Sequence, residues 1–252
     1  KTGETRTETY TVQVSDGNGG VDTQDITITV TGDDDGAVIT PNAPGSDQGQ
    51  VQEDVTLVAG GKLNVTDPDA GQAVFVPVVA QAGQYGNFSV DASGNWTFNL
   101  NNGLAAVQAL GVGKSLTETF TVTTADGTTG SVLITINGTN DQPVLSGALT
   151  GTVAEDGTQT AIGQLATTDV DAGDTHSYSV VGANTGTYGS FSVDSTGQWT
   201  YQLDNAAAQA LKTGETRTET YTVQVSDGNG GVDTQDITIT VTGDDDGAVI
   251  TP

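Results

Sequence analysis

Apolar and polar residues alternate in short runs along most of this chain. In TYTVQVS, Tyr221, Val223 and Val225 fall on one side of an extended strand, and DITITV does the same with Ile237, Ile239 and Val241. The glycine-rich loop SDGNGG (Ser226–Gly231) between them predicts a hairpin. Upstream, FSV (Phe191–Val193) and WTYQL (Trp199–Leu203) flank the turn DSTGQ. NAAAQAL (Asn205–Leu211) is the helical candidate, a turn or two against a sheet edge. About seven short strands in a module of roughly one hundred residues predict an all-β fold, a β-sandwich of immunoglobulin-like shape.

The pattern repeats. Lys1–Pro41 recurs without change as Lys212–Pro252. A diverged repeat lies inside that interval. DPDAG (Asp67–Gly71) matches DVDAG (Asp169–Gly173), and YGNFSVDASGNWTF (Tyr85–Phe98) matches YGSFSVDSTGQWTY (Tyr188–Tyr201). Self-similarity of this kind defines a tandem array. The predicted units are a C-terminal repeat fragment at 1–41 (two strands plus linker), a sandwich at 42–143 and a second sandwich at 144–252, arranged end to end. Their boundaries fall at GDDDGAVITPNAPGSDQG and GTNDQPVLSG, both rich in turn formers. The start, KTGETRTETY, has no signal-peptide character, and with the repeat it predicts a piece of something longer.

Composition narrows the partners. Acidic residues outnumber basic ones 32 to 6, for a formal net charge of −26. Nucleic acid and anionic membranes are poor partners for such a charge, and divalent cations are the natural ones. No stretch approaches the ~20 apolar residues of a membrane-spanning helix. There is no cysteine, so disulfides do not staple the fold.

The acids recur at turns. Glu155 follows one strand, Asp169 and Asp171 sit in a loop after the next, Asp227 opens the last hairpin, and Asp244–Asp246 close the last strand. Calcium takes about six to eight oxygens, more than any one of these turns offers. TDVDAGDTHSYSV (Thr168–Val180), GSFSVDSTGQWTY (Gly189–Tyr201), YTVQVSDGNGG (Tyr221–Gly231), ITVTGDDDGAV (Ile239–Val249) and NGTNDQPV (Asn137–Val144) carry a resemblance. They resemble cadherin-type repeats, most closely the cadherin-like and VCBS repeats of long bacterial adhesins with RTX-type C-termini. That resemblance implies Ca2+ shared at module junctions. At the junction of the two whole modules it implies Glu53, Asn140, Asp141, Asp169, Asp171 and Asp227 as ligands. At the first junction it implies Asp34, Asp35, Asp67, Asp69 and Asp126. At the C-terminal end it implies Glu155, Asp245 and Asp246. Asp54 and Asp156 read as turn caps. The Asp-Arg-Glu motif of cadherins is replaced by LNNG (Leu100–Gly103) and LDNA (Leu203–Ala206), which lowers the expected count to one or two ions per junction.

Other signals carry less. DGNGGVDTQD (Asp16–Asp25) lacks the glutamate of an EF-hand, since Thr27 holds position twelve. His176 is the lone histidine and cannot make a zinc site. No serine has a nucleophile motif around it, so no enzyme is expected. Trp96 and Trp199 share one repeat position and read as core. The resemblance implies calcium-rigidified spacer repeats of a giant adhesin, secreted to the bacterial cell surface and supporting attachment or biofilm formation. The alternative is a glycan- or protein-binding module of the same adhesin. Neighbouring repeats are the expected partners. Strand exchange through residues 1–41 is a further one, because Tyr10, Val12, Val14, Ile26, Ile28 and Val30 lack covering strands in that fragment.

Overall fold

The computed structural model describes residues 1–247. The last five residues of the second predicted sandwich lie outside the described residues. The chain forms two compact units: residues 1–102 with 116–136, and residues 103–115 with 137 onward.

In the first unit, β1 (Thr5–Ser15) and β2 (Val21–Thr31) form an antiparallel hairpin in full register, with Tyr10 opposite Ile26. The sandwich follows. One sheet has the order β3-β5-β8-β7-β6, from β3 (Val38–Pro41), β5 (Val58–Thr66), β6 (Val78–Ala82), β7 (Gly86–Val90) and β8 (Asn95–Leu100). The other has the order β4-β10-β9, from β4 (Gln48–Gln52), β9 (Ser115–Thr123) and β10 (Thr129–Asn137). β3 pairs with β5, so the residues just before 42 join the sheet that follows them. The core stacks Phe88 between Trp96 and Phe120.

The second unit follows this plan except at one edge. Residues 103–115 carry one turn of helix, α1 (Ala105–Gln108). One sheet runs β11-β13-β16-β15, from β11 (Val144–Gly147), β13 (Thr160–Thr168), β15 (Gly189–Val193) and β16 (Gln198–Leu203). The other runs β12-β18-β17-β14, from β12 (Thr150–Ala154), β14 (Ser177–Val181), β17 (Thr216–Ser226) and β18 (Val232–Thr242). At the differing edge β14 pairs with β17, although its equivalent β6 pairs with β7. α2 (Asn205–Ala208) is capped by Asp204, whose side chain accepts from Ala206 N–H.

Alternation places the core as expected: Tyr221, Val223, Val225, Ile237, Ile239 and Val241 are all buried. Phe191 stacks between Trp199 and Tyr221, and Trp199 Nε1 donates to Ala148 O at 2.8 Å. Gly163 makes room for that indole, since a Cβ there would lie 2.3 Å from Trp199 ring carbons. The hairpin β1–β2 has the sequence of β17–β18, but among the described residues no sheet covers its apolar face. Tyr10 is 53% exposed where Tyr221 is 4%, and Ile28 is 49% exposed where Ile239 is fully buried.

Topology sorts the acids to the two ends of the sandwich. β12 pairs parallel to β18, so both finish at one end, where Glu155 and Asp244–Asp246 follow. β17 is antiparallel to β18 and finishes at the other end, where Asp227 follows. Asp169, just after β13, joins Asp227 there.

Candidate metal centres

At the entry end of the second unit, three loops converge. Carboxylate oxygens of Asp169, Asp174 and Asp227 lie within 4.8 Å of one another. Asp171 N–H turns back to Asp169 Oδ1 at 3.1 Å, which fixes the Asp-x-Asp loop. The incoming linker docks on the same acids. Asp141 N–H donates to Asp171 Oδ2 at 2.8 Å, and Asn140 Nδ2 donates to Asp227 Oδ2 at 2.8 Å. Residues 103–115 close over Asp171: Ala109 O accepts from Ala172 N–H at 3.1 Å, and a Cβ on Gly111 would lie 3.4 Å from Asp171 Cγ.

The electrostatics are strained. Asp171 is only 4% exposed, and burial pushes its carboxyl up, with Asp174, Asp169 and Asp227 adding like-charge repulsion. Burial also opposes charge on Asp227, but donors from Asn140, Asn229 and Gly231 outweigh it and hold the carboxyl below its ordinary value.

The first unit copies this arrangement with different saturation. Asp69 N–H donates to Asp67 Oδ1 at 2.7 Å, and linker Asp35 N–H donates to Asp69 Oδ2 at 3.0 Å. Asp126 accepts from Thr124 Oγ1, Thr128 Oγ1, Thr128 N–H and Ala37 N–H. Those four donors push its carboxyl well below the usual range and tie the linker to the hairpin loop. Asp34 is exposed, and desolvation with repulsion from Asp69, Asp126 and Asp67 raises its carboxyl.

At the exit end of the second unit, Glu155, Asp156 and Asp246 bring oxygens within 4.8 Å of one another. Glu155 is buried and accepts from Asp244 N–H through Oε2 at 3.1 Å. Asp245 stands exposed in the same run. Glu53 occupies the same repeat position after β4 and is fully buried.

Buried oxygens without a donor mark these places. They include Asp67 Oδ2, Asn140 Oδ1, Asp171 Oδ1 and Glu155 Oε1. A buried carboxylate or amide oxygen left so costs about 1–3 kcal/mol, more when charged. A hard cation bound through oxygen would relieve it, and this all-oxygen donor set suits calcium.

Two residues were not among the sequence candidates. Asp174 is the sixth residue of DVDAGD, and the repeat hides it because Gln72 holds that position in DPDAGQ. Asp156 does act at a turn, with φ +52° and Asn205 on its backbone and side chain, but its carboxylate also faces Asp246.

A profile of the bacterial cadherin-like domain matches residues 40–138 and again 140–243. The chain belongs to the bacterial cadherin-like domain family. Its cadherin-like modules are similar in fold to solved cadherin ectodomains. Against PcdhgB3 EC1-4 the TM-score is 0.54 at 16% identity, covering 95% of this chain and 57% of that one. Against protocadherin gammaB7 EC3-6 it is 0.53 at 18%, covering 94% and 56%. Against mouse cadherin-23 EC22-24 it is 0.50 at 19%, covering 94% and 74%. The chain thus spans little more than half the length of the first two. At these identities the likeness concerns fold alone. No curated protein matches the sequence. Cadherin-like domains are adhesion modules, extracellular in bacteria, and they typically bind calcium. Among the described residues no helix is long and apolar enough to cross a membrane.

Proposed function

We propose that these modules are calcium-rigidified extender repeats of a giant bacterial surface adhesin. In this reading they hold a distant binding region away from the cell and support attachment or biofilm growth. The observation that carries the reading is the set of donor-less buried oxygens on Asp67, Asn140, Asp171 and Glu155. All four belong to loops or linkers at strand ends, where a chain built only for stability has no reason to bury them. A cation held by Asp169, Asp171, Asp227, Asn140 and Asp141 fixes the linker to the module that follows it. Asp34, Asp35, Asp67, Asp69 and Asp126 do the same at the first linker. Glu53, Glu155, Asp245 and Asp246 are the contribution of a module's exit end.

The test is thermal unfolding with small-angle scattering in calcium, magnesium and chelator. Calcium should raise the melting temperature and lengthen the particle. Magnesium should do so poorly, since it sheds water reluctantly and demands octahedral geometry. Equal melting curves in calcium and chelator would refute the reading. Strand exchange through residues 1–41 is the proposed additional contact with a second copy. Deleting residues 1–32 should abolish any concentration-dependent oligomer while leaving the stability of both sandwiches unchanged. The glycan-binding alternative loses its aromatic platform, because Trp96 and Trp199 are both buried in the cores.

A further inference from the structure

Resting on that calcium reading, we infer that the two linker sites of this chain are unequal. Asp174 makes the Asn140–Asp141 site the stronger, and Gln72 makes the Asp34–Asp35 site the weaker. The two sites share their backbone frame. In each, the first acid of Asp-x-Asp receives the second's N–H, and the second receives the N–H of a linker aspartate, Asp35 or Asp141. Besides Asp34 against Asn140, which gives the first linker the extra carboxylate, they differ at three repeat-equivalent positions.

The first difference is the sixth residue of the loop. Asp174 places a third carboxylate within 4.8 Å of Asp169 and Asp227. Gln72 instead turns its amide into the site, and its Nε2 donates to Asp34 Oδ1 at 2.7 Å. A neutral donor there occupies a lone pair that a cation would need. Among the described residues, the first linker site has no comparable three-acid group.

The second difference is in the hairpin loop. Asn229 spans the site, its Nδ2 donating to Asp174 Oδ2 at 2.9 Å and its N–H to Asp227 Oδ1 at 2.7 Å. The equivalent Thr128 folds its hydroxyl onto Asp126 Oδ2 at 2.7 Å. The third is in the linker. Ala37 N–H also lies on Asp126 Oδ2, at 2.7 Å, whereas the equivalent Pro143 has no N–H to give. Asp126 is therefore saturated by protein donors. Each site keeps one buried Asp-x-Asp oxygen without a donor, Asp67 Oδ2 at the first and Asp171 Oδ1 at the second, and Asp171 is more than nine-tenths buried.

Both linker sites count five carboxylates, and both take side-chain amide donors. What differs is convergence: among the described residues, three carboxylates place oxygens within 4.8 Å of one another at the second linker site and not at the first. Charge gathered in a fixed frame should separate the sites by about tenfold or more in apparent Kd. The amides of Asp35 and Asp141 report each site separately, since each is hydrogen-bonded to a candidate ligand. The experiment is calcium titration of the isotopically labelled, chelator-stripped chain, followed by the amide resonances of these two residues. Wild type should show the Asp141 amide moving at about tenfold lower calcium than the Asp35 amide. Asp174→Gln should erase most of that lead, and Gln72→Asp should bring the Asp35 midpoint down. Each variant copies the residue of the sister module, and the rest of the amide spectrum reports whether the fold is kept. Coincident midpoints in wild type, or an Asp141 midpoint unmoved by Asp174→Gln, would overturn the inequality while leaving calcium binding intact. Amides that ignore calcium at both sites would overturn the calcium reading itself and the inequality with it.

Discussion

Replacing Asp169 with Asn should stabilise the second module without calcium and weaken it, relative to wild type, with calcium. Asp169 has candidate-ligand oxygens of Asp174 and Asp227 within 4.8 Å. At an effective dielectric of ~20, each such pair repels by about 3.5 kcal/mol. A screening length of ~8 Å at physiological salt cuts that roughly in half. The loops are partly open to water, which discounts it again, so about 2 kcal/mol of relief is expected from two pairs. Asparagine keeps an Oδ1 for the Asp171 N–H, so the loop frame survives. For a module of this size, ~2 kcal/mol raises the melting temperature by roughly 10 °C. In calcium the order should reverse. Wild type gains about 2.7 kcal/mol at one hundred times Kd, and the variant forfeits most of it. Trp199 fluorescence, in a chain with Trp96→Phe, follows this module alone at pH 8. A variant less stable than wild type in chelator would show that the bonds of Asp169 to Asp171 and His176 outweigh the repulsion. A full calcium gain in the variant would remove Asp169 from the ligands.

Gly163→Ala should cost the second module about 2 kcal/mol or more by urea unfolding, because its Cβ would meet the Trp199 ring at 2.3 Å and the indole is held by Ala148 O. Ile239→Ala should cost about 2–5 kcal/mol while Ile28→Ala costs well under 1, since identical segments are buried in one place and open in the other. Tyr201 and Tyr221 both donate to Glu219 Oε2, and burial first, then that carboxylate, pushes both phenols up. Their neutral forms contribute stability that is complete below the unfolded phenol pKa of ~10 and is lost as pH rises above it. The second module should therefore soften above about pH 10, and the double change to Phe should flatten that decline, as Phe98 and Phe120 already do in the first.

The strands that could be read from sequence were those with one buried face. β17 and β18 alternate because Tyr221, Val223, Ile237 and Ile239 must all reach one core. β14 could not be read so, because Ser177–Val181 is a short edge strand with half-exposed side chains. α1 was missed while α2, equally short, was read, because Leu104 at the start of Ala105–Gln108 offers no side-chain cap, whereas Asp204 caps the alanine run of α2. The linker and Asp-x-Asp acids stood out as repeats. Asp174 did not, because its partners Asp169 and Asp227 are brought to it by sheet topology, and its own repeat partner is a glutamine. The role of Glu219 was equally hidden. Its carboxylate accepts from the Tyr221 phenol on its own strand, and from Tyr188 N–H and the Tyr201 phenol only once β15 and β16 are packed near β17.

The duplicated hairpin makes folding a contest between two equal claimants. β1–β2 and β17–β18 present the same side chains to the strands β11–β16, so no contact energy can tell them apart. Connectivity has to decide. From α2 to β17 the chain runs only from Ala208 to Thr216, whereas from β2 to β11 it runs from Thr31 to Val144. Loop-closure entropy then favours the local hairpin by about 2–3 kcal/mol, a ratio near one hundred rather than one million. In an array of such repeats every module faces several distant copies of its own last two strands. Order of synthesis therefore matters: a module that closes on its own hairpin before the next copy emerges never meets the competitor.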